Sequence, residues 1–477
     1  MGERDRHAPR QADPGRPAGT SRGTAGPQLG LIRGRRPQAR GISCGSARGA
    51  GGSTVSASEQ ELEGRSSSAG GVAAKPAAGV AAPARKPARL RWVLSLEDFE
   101  RAGRRFLPRP IYGFIAGAAE TDASLHANRA AFADLAFVPR VLVDTSARTQ
   151  AASVFGRRYA APFGLAPMGA SALAAYQGDT MLARAAAAAD IPYIMSASSL
   201  IPMEEVVRHG RSAWFQAYIP GERARIGPLI ERVARAGFEV LVVTADVPVP
   251  ANRENNVRNG YSLPLKPSVR LGWQGVTHPG WLREVAARTL RRHGMPYFEN
   301  MDAQRGAPVF SARAMRELGQ RDALSWNDMA WIRERWKGKL VVKGILARED
   351  ARIARELGMD GIIVSNHGGR QLDGAVAPMR VLPEIAAEAG EMTVMLDSGI
   401  RRGTDVLKAL AMGASFVFLG RPFLYAAAIA GEAGVRHAIS LLSEEIDRDM
   451  ALLGITEIAQ MRPELLTWAA GERRPLR

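Results

Sequence analysis

The densest run of chemically capable residues is Ser365-Asn366-His367-Gly368-Gly369-Arg370-Gln371-Leu372-Asp373. A histidine is a general base whose unperturbed pKa of about 6.5 suits neutral pH. An arginine three residues on is a planar, permanently charged fork matched to a carboxylate. The two glycines between them let backbone approach a flat ligand closely. A base beside an anion clamp is what a 2-hydroxy acid requires. One group takes a proton at the reacting carbon or its hydroxyl, and the other holds the carboxylate. A lone histidine is more often structural, but the Gly-Gly loop and the arginine weigh towards function. Asp246 is a candidate partner for the imidazolium that forms, raising the His367 pKa and orienting the ring. Lys343 closes the apolar run Leu340-Val341-Val342, and a buried ammonium without an anion would lose its proton. It is expected either to pair with an acidic neighbour or to stabilise negative charge on a reduced cofactor ring.

A second set lies further on, in Asp397-Ser398-Gly399-Ile400-Arg401-Arg402-Gly403 and Gly420-Arg421-Pro422. Backbone N–H groups, a helix start at Thr404 and two arginines suit a monophosphate. Short apolar runs at 162–166, 192–196, 213–218, 239–245, 339–343, 361–365, 393–397 and 415–420 must position these groups. Runs as uniform as Val240-Leu241-Val242-Val243 fit parallel strands covered on both faces. The helical patterns between them stop at glycines, such as Gly358 and Gly413. Eight strands with intervening helices predict an α/β fold, the (β/α)8 TIM barrel. A doubly wound open sheet would need a Gly-rich fingerprint after its first strand, and none is present. Barrel chemistry sits at the C-terminal strand ends. Those ends carry Met168 and Gly169, Ser196, Gln216 and Tyr218, Thr244 and Asp246 with Arg253 beyond, Lys343, His367 and Arg370, Asp397 to Arg401, and Gly420 with Arg421. Polar groups at nearly every mouth position predict one converging site.

The whole chain has 477 residues, with 64 Lys+Arg against 47 Asp+Glu and a net charge of +17. Residues 1–90 hold 15 Lys+Arg and 6 Asp+Glu in a Gly/Ala/Arg/Pro-rich composition that cannot bury a core, so a disordered basic extension is expected there. Residues 91–477 then form the barrel domain. The single cysteine, Cys44, excludes an internal disulfide framework and any Cys-based metal site, and no metal is expected. No run of 18 apolar residues occurs, and residues 1–10 lack a secretory apolar stretch, so a cytoplasmic protein is expected. One connection, 248–338, is far too long for a βα loop and reads as a lid or interaction segment. Within it, 281–292 forms a basic amphipathic helix. Its two readings are peripheral contact with the inner membrane face and packing on the barrel with a solvated basic face.

The segments SNHGGRQLD, LDSGIRRGTDVLKALAMGA, LGRP, VVKG, TADVP and APMGA together resemble the FMN-dependent 2-hydroxy acid oxidases and dehydrogenases, from about Leu96 to the C-terminus. The resemblance implies FMN as cofactor and oxidation of an L-2-hydroxy acid to the 2-oxo acid. It implies His367 as base with Asp246 as partner, Arg370 and Arg253 on the substrate carboxylate, and Tyr218 bonded to substrate. Lys343 would lie at the flavin N1–C2=O edge. Pro167, Met168, Ser196, Gln216 and Thr244 would line the ring, and Asp397, Ser398, Gly399, Arg401, Gly420 and Arg421 the ribityl phosphate. Gly169, where oxidases commonly carry alanine, resembles the dehydrogenase branch and points to a quinone rather than O2 as acceptor. Family analogy also implies a homo-oligomer, a tetramer. The sequence departs from the pattern at Phe114, where members carry a tyrosine that bonds the substrate carboxylate, and at Ser198, where glycolate oxidase has a bulky aromatic. Both point to an unusual or bulkier substrate. The rivals are an FMN barrel enzyme acting on a peptide-derived or isoprenoid substrate, and a basic binding protein without turnover. Nothing in the sequence indicates specific nucleic-acid recognition.

Overall fold

Runs of Val, Ile, Leu and Phe with no polar face can only be stable strands if both faces are covered, which parallel pairing with crossover helices provides. The computed structural model describes residues 87–210, 213–262, 268–311 and 321–469, so nearly all of the basic extension expected over 1–90 lies outside the described residues. Eight parallel strands close a barrel in sequence order: β1 (Phe163–Leu165), β2 (Tyr193–Ser196), β3 (Ala213–Ala217), β4 (Val240–Thr244), β5 (Lys339–Ile345), β6 (Gly361–Val364), β7 (Thr393–Leu396) and β8 (Phe416–Leu419), which pairs back onto β1. Every expected run but 339–343 contains its strand whole. β5 alone extends beyond its expected end. It continues through Gly344, whose φ of 106° makes a bulge that shifts the β5–β6 register between Lys343 and Ile345. A Cβ there would sit 2.6 Å from that of Asp246, so only glycine fits.

The strands alternate inward and outward. Ile194, Trp214, Val240, Val242, Val341, Ile363, Met395, Phe416 and Phe418 form an inner core, closed by the short ribbon Ala152–Val154/Arg157–Tyr159 through Tyr159 against Phe416 and Phe155 against Trp214. The outward residues pack against the surrounding helices as a second, larger core.

Seven helices bear on the site. α1 (Arg109–Ala116) and α2 (Ala123–Ala133) precede the barrel. The long β4–β5 connection contains α3 (Glu254–Asn259), α4 (Val269–Val276) and α5 (residues 279–293, π-helical over Leu282–Ala287). α6 (Gly403–Ala411) follows β7 and α7 (Arg421–Leu453) follows β8. α3 packs tightly on α1. The Asn255 side-chain amide donates to Gly113 O at 2.7 Å, and a Cβ on Gly117 would collide with that amide.

The amphipathic helix expected at 281–292 is α5, and it turns Trp281 and Val285 to the barrel while Leu282 and Leu290 of its apolar half stay exposed. Val285 is buried and the Trp281 indole donates to Leu173 O at 2.8 Å, while Arg283, Arg291 and Arg292 are exposed. A longer exposed apolar stripe lies on α4. There Val269 (93 % exposed), Trp273 (64 %) and Val276 (65 %) fall on one helical face. No helix among the described residues is long and apolar enough to cross a membrane.

Candidate active site

Strand periodicity builds the site. Two residues beyond the inward Ile194, Trp214, Val242, Val341, Ile363 and Met395, the same series reaches Ser196, Gln216, Thr244, Lys343, Ser365 and Asp397, all buried. The top layer of the barrel interior is therefore polar. Buried polar groups must be paired, and most of these are. Ser196 Oγ donates to Gln216 Oε1 at 3.0 Å. Lys343 Nζ donates to Ser365 Oγ at 2.7 Å and pairs with Asp397 at 3.1 Å and Asp246 at 3.9 Å. Burial by itself would lower the Lys343 pKa, but the two carboxylates outweigh it and hold the ammonium charged.

His367 follows β6 in a left-handed conformation (φ 58°), its backbone N–H donating to Ser365 Oγ at 3.0 Å. Its Nδ1 is 2.8 Å from Asp246 Oδ1. A carboxylate there fixes the proton on Nδ1 and leaves Nε2 as the basic nitrogen. Burial lowers the His367 pKa, Asp246 opposes that, and Lys343 and Arg253 add to the fall. The net pKa lies below the ordinary value. This corrects the expectation that Asp246 would raise it: Asp246 pulls upwards, but desolvation and two nearby cations win. The imidazole is neutral at neutral pH, as a base must be.

A cavity of about 590 Å3 opens at this end of the barrel, in the range of cofactor sites. Phe114, Pro167, Met168, Gly169, Gln216, Tyr218, Thr244, Arg253, Lys343, His367 and Arg370 line it together with Asp397, Ser398, Gly399, Arg401, Gly420 and Arg421. Of the residues singled out in the sequence, Ser196 and Asp246 stand behind the wall, bonded to Gln216 and His367. The two loop glycines serve packing. Gly369 (φ 77°) admits the start of α2, Leu125 N lying 2.6 Å from where a Cβ would be, and Gly368 (φ 68°) admits Arg421.

Arg370 donates to Gly117 O at 2.7 Å, and Arg253 to Arg370 O at 3.1 Å and to Gln371 Oε1 at 2.8 Å. Neither has a carboxylate partner among the described residues. Burial, then Arg253 and Arg421, push Arg370 well below its usual range. Next to Arg370, and sharing its acceptors Ile115 O and Gly117 O, Arg421 also donates to Gly368 O, and burial with Arg401 pushes it down to about 10. Two half-buried guanidiniums, Arg401 and Arg421, with no carboxylate ion pair among the described residues, beside the N-terminus of α6 and the left-handed Ser398-Gly399 turn, fit a phosphate dianion. Gln216 Nε2 is buried in the wall without a partner, a donor suited to a ring carbonyl. The residues present therefore fit FMN.

The insertion supplies residues the sequence reading missed. Gly260 (φ 79°) ends α3 in a left-handed cap, and Tyr261 N donates back to Asn256 O at 2.8 Å. This places the Tyr261 ring on Phe114, with centroids 4.4 Å apart and planes at 20°. Its hydroxyl is buried without a partner; burial raises its pKa, with Arg370 and Arg253 opposing. Arg321 lies over the Tyr218 ring, 4.8 Å from the centroid. The signal for Tyr261 was the hydroxyl missing at Phe114, which called for a tyrosine elsewhere; Arg321 had no signal in its segment.

A parallel barrel with a phosphate corner, a polar ring floor and a His–Asp pair facing two arginines defines a flavin mononucleotide oxidoreductase of the barrel class. The model for FMN-dependent dehydrogenase matches residues 103–468. The L-lactate dehydrogenase of Ectopseudomonas mendocina (strain ymp) is 41 % identical over 374 residues, 77 % of this chain and 97 % of the relative. The (S)-mandelate dehydrogenase of Pseudomonas putida is 36 % identical over 375 residues, 78 % of this chain and 94 % of the relative. The crystal structure of the monotopic membrane protein (S)-mandelate dehydrogenase superposes with a TM-score of 0.73 at 35 % identity, covering 79 % of this chain and 100 % of that one. The chain belongs to the FMN-dependent 2-hydroxy acid dehydrogenase family, and FMN is its cofactor. The rival readings, a different FMN barrel chemistry and a binding protein without turnover, are not favoured.

Proposed function

We propose that the cavity oxidises an L-2-hydroxy acid to the 2-oxo acid with His367 as the base. The observation that carries this is the His367–Asp246 pair, with Nδ1 occupied at 2.8 Å and Nε2 left for the cavity that Arg253 and Arg370 also line. The substrate carboxylate lies between the two arginines, and the Tyr261 hydroxyl supplies the bond that Phe114 lacks. Tyr218 bonds the substrate oxygen at C2. His367 Nε2 takes the proton, and Asp246 stabilises the imidazolium that results. Lys343, held charged by Asp397 and Asp246, offsets negative charge at the floor of the site. Gln216 and Thr244 face the ring, and Arg401 with Arg421 hold the phosphate. FMN, when bound, accepts the two electrons.

The acceptor we infer is a quinone, supported by Gly169 and by the exposed Val269-Trp273-Val276 stripe beside the Arg-bearing outer side of α5, a surface suited to peripheral contact with an anionic bilayer. The relative described as monotopic is in keeping with that surface. The test is anaerobic absorption of the holoenzyme with a panel of L- and D-2-hydroxy acids. Bleaching by an L-acid is expected, with slow recovery in air and fast recovery with a quinone. His367→Gln should keep the flavin bands and bleach about 10²–10⁴-fold more slowly; an unchanged rate would remove His367 from the base role.

A further inference from the structure

Arg321 reaches the cavity from the far end of the insertion, its backbone N–H donating to Pro248 O at 3.3 Å. It is 7 % exposed, and its Nε is buried without a hydrogen-bond partner. No carboxylate among the described residues forms an ion pair with it. Asp246 is committed to His367 and Lys343, and Asp302 to the neighbouring Arg225 at 2.6 Å. Burial lowers the Arg321 pKa, with Tyr218 opposing and Arg225 adding to the fall. The reaction described above makes no use of this group, yet a buried guanidinium with an orphan donor is costly unless an anion meets it.

Two anions already have receivers. The flavin phosphate fits Arg401 and Arg421, and the C1 carboxylate fits Arg253 and Arg370. Arg370 is repelled by Arg253 and Arg421, whereas Arg321 is repelled by Arg225. Arg321 is thus a separate cation, and Tyr218, which feels Arg253, Lys343 and Arg321 together, links it to the reacting end of the substrate. A methyl or phenyl side chain would leave Nε desolvated and unpaired. A carboxylate two or three atoms beyond C2 would satisfy it.

We infer that Arg321 is a second anion subsite and that the substrate is a 2-hydroxy dicarboxylic acid, its C1 carboxylate on Arg253 and Arg370 and its distal carboxylate on Arg321. The inference rests on the proposed 2-hydroxy acid oxidation and narrows its substrate class. Bond changes are those of the parent reaction: C2–H and O–H break as C2=O forms, one proton goes to His367 Nε2, the two electrons with the other hydrogen would be taken by FMN, and the 2-oxo dicarboxylic acid leaves.

The test compares the holoenzyme on L-malate and L-2-hydroxyglutarate, on the distal carboxamide of the latter, and on L-lactate and L-mandelate, following anaerobic bleaching rate and KM. A dicarboxylate should exceed the carboxamide at least tenfold in kcat/KM. Arg321→Met should cut that ratio at least tenfold, mainly through the KM of the dicarboxylate, and Arg321→Lys should restore part of it. A holoenzyme that prefers the carboxamide, lactate or mandelate overturns the inference, as does a ratio unchanged in Arg321→Met. If that variant fails to fold or bind FMN, the wild-type ratio decides. Bleaching by lactate or mandelate with lagging dicarboxylates sinks the subsite alone, whereas no bleaching by any 2-hydroxy acid sinks the parent reaction with it.

Discussion

Environment outweighs residue type in deciding what each group does here. The His367 pKa is lowered by burial and by two cations against the pull of Asp246, so the base is free above that lowered pKa and protonated only below it. The acid limb of kcat/KM should therefore fall below pH 6.5, rising with pH as the imidazolium deprotonates. Asp246→Asn removes the upward pull, so its limb should move to still lower pH while turnover drops through loss of ring orientation and imidazolium stabilisation. A limb that moved upwards would contradict the balance of forces argued for this pair. Tyr261 is the second case at this scale. Its ring stacks on Phe114, and its hydroxyl, acted on by Arg253 and Arg370, is placed to bond an anion held by those arginines. A hydrogen bond to a charged group contributes about 1.5–3 kcal/mol. Tyr261→Phe should accordingly raise KM for the acid by about 10–100-fold, and adding Phe114→Tyr should recover part of it. Steady-state kinetics of the single and double variants check this.

At the scale of elements, the strand ends were readable because period two is fixed by the backbone. Once Val341 and Met395 face inward, Lys343 and Asp397 must do so as well. The apolar runs marked all eight strands for the same reason. The insertion was not readable in this way. Tyr261 and Arg321 acquire meaning only from Phe114 and Tyr218, which lie far away in sequence, and no local pattern records those contacts. Likewise 281–292 carries a clear amphipathic pattern that does not say which of its apolar residues find a neighbour; Trp281 and Val285 pack to the barrel, whereas Leu282 and Leu290 stay exposed. The β5 bulge is another feature no propensity marked. Gly344→Ala would impose a Cβ on a φ of 106° and on Asp246, displacing the carboxylate that orients His367. A positive-φ alanine costs about 1–3 kcal/mol. We expect a lower melting temperature, a turnover loss approaching that of Asp246→Asn, and FMN still bound; unchanged turnover would show that the bulge does not set the Asp246 position.

At the scale of the whole molecule, the insertion contributes both to the cavity wall, through Arg253 and Tyr261, and to an exposed apolar and basic surface. Substrate must reach the cavity wall formed by α3 and Tyr261, while the quinone proposed as acceptor would be supplied from an apolar surface. α4 presents Val269, Trp273 and Val276 to solvent, and α5 exposes Arg283, Arg291 and Arg292 beside it. Burying an apolar stripe of this size and bringing arginines to an anionic surface, at about 1 kcal/mol each, supports reversible adsorption rather than insertion. The basic extension does not enter this argument, since the relatives are matched over nearly their full length by 77–80 % of this chain. Sedimentation with vesicles containing anionic lipid should pellet the protein at low salt and release it as salt rises. Trp273→Glu with Val276→Glu should abolish pelleting while leaving anaerobic bleaching by a 2-hydroxy acid within about twofold, because α4 lies outside the cavity wall. Retained pelleting would move the contact to another surface, and pelleting indifferent to salt would remove the arginines from it.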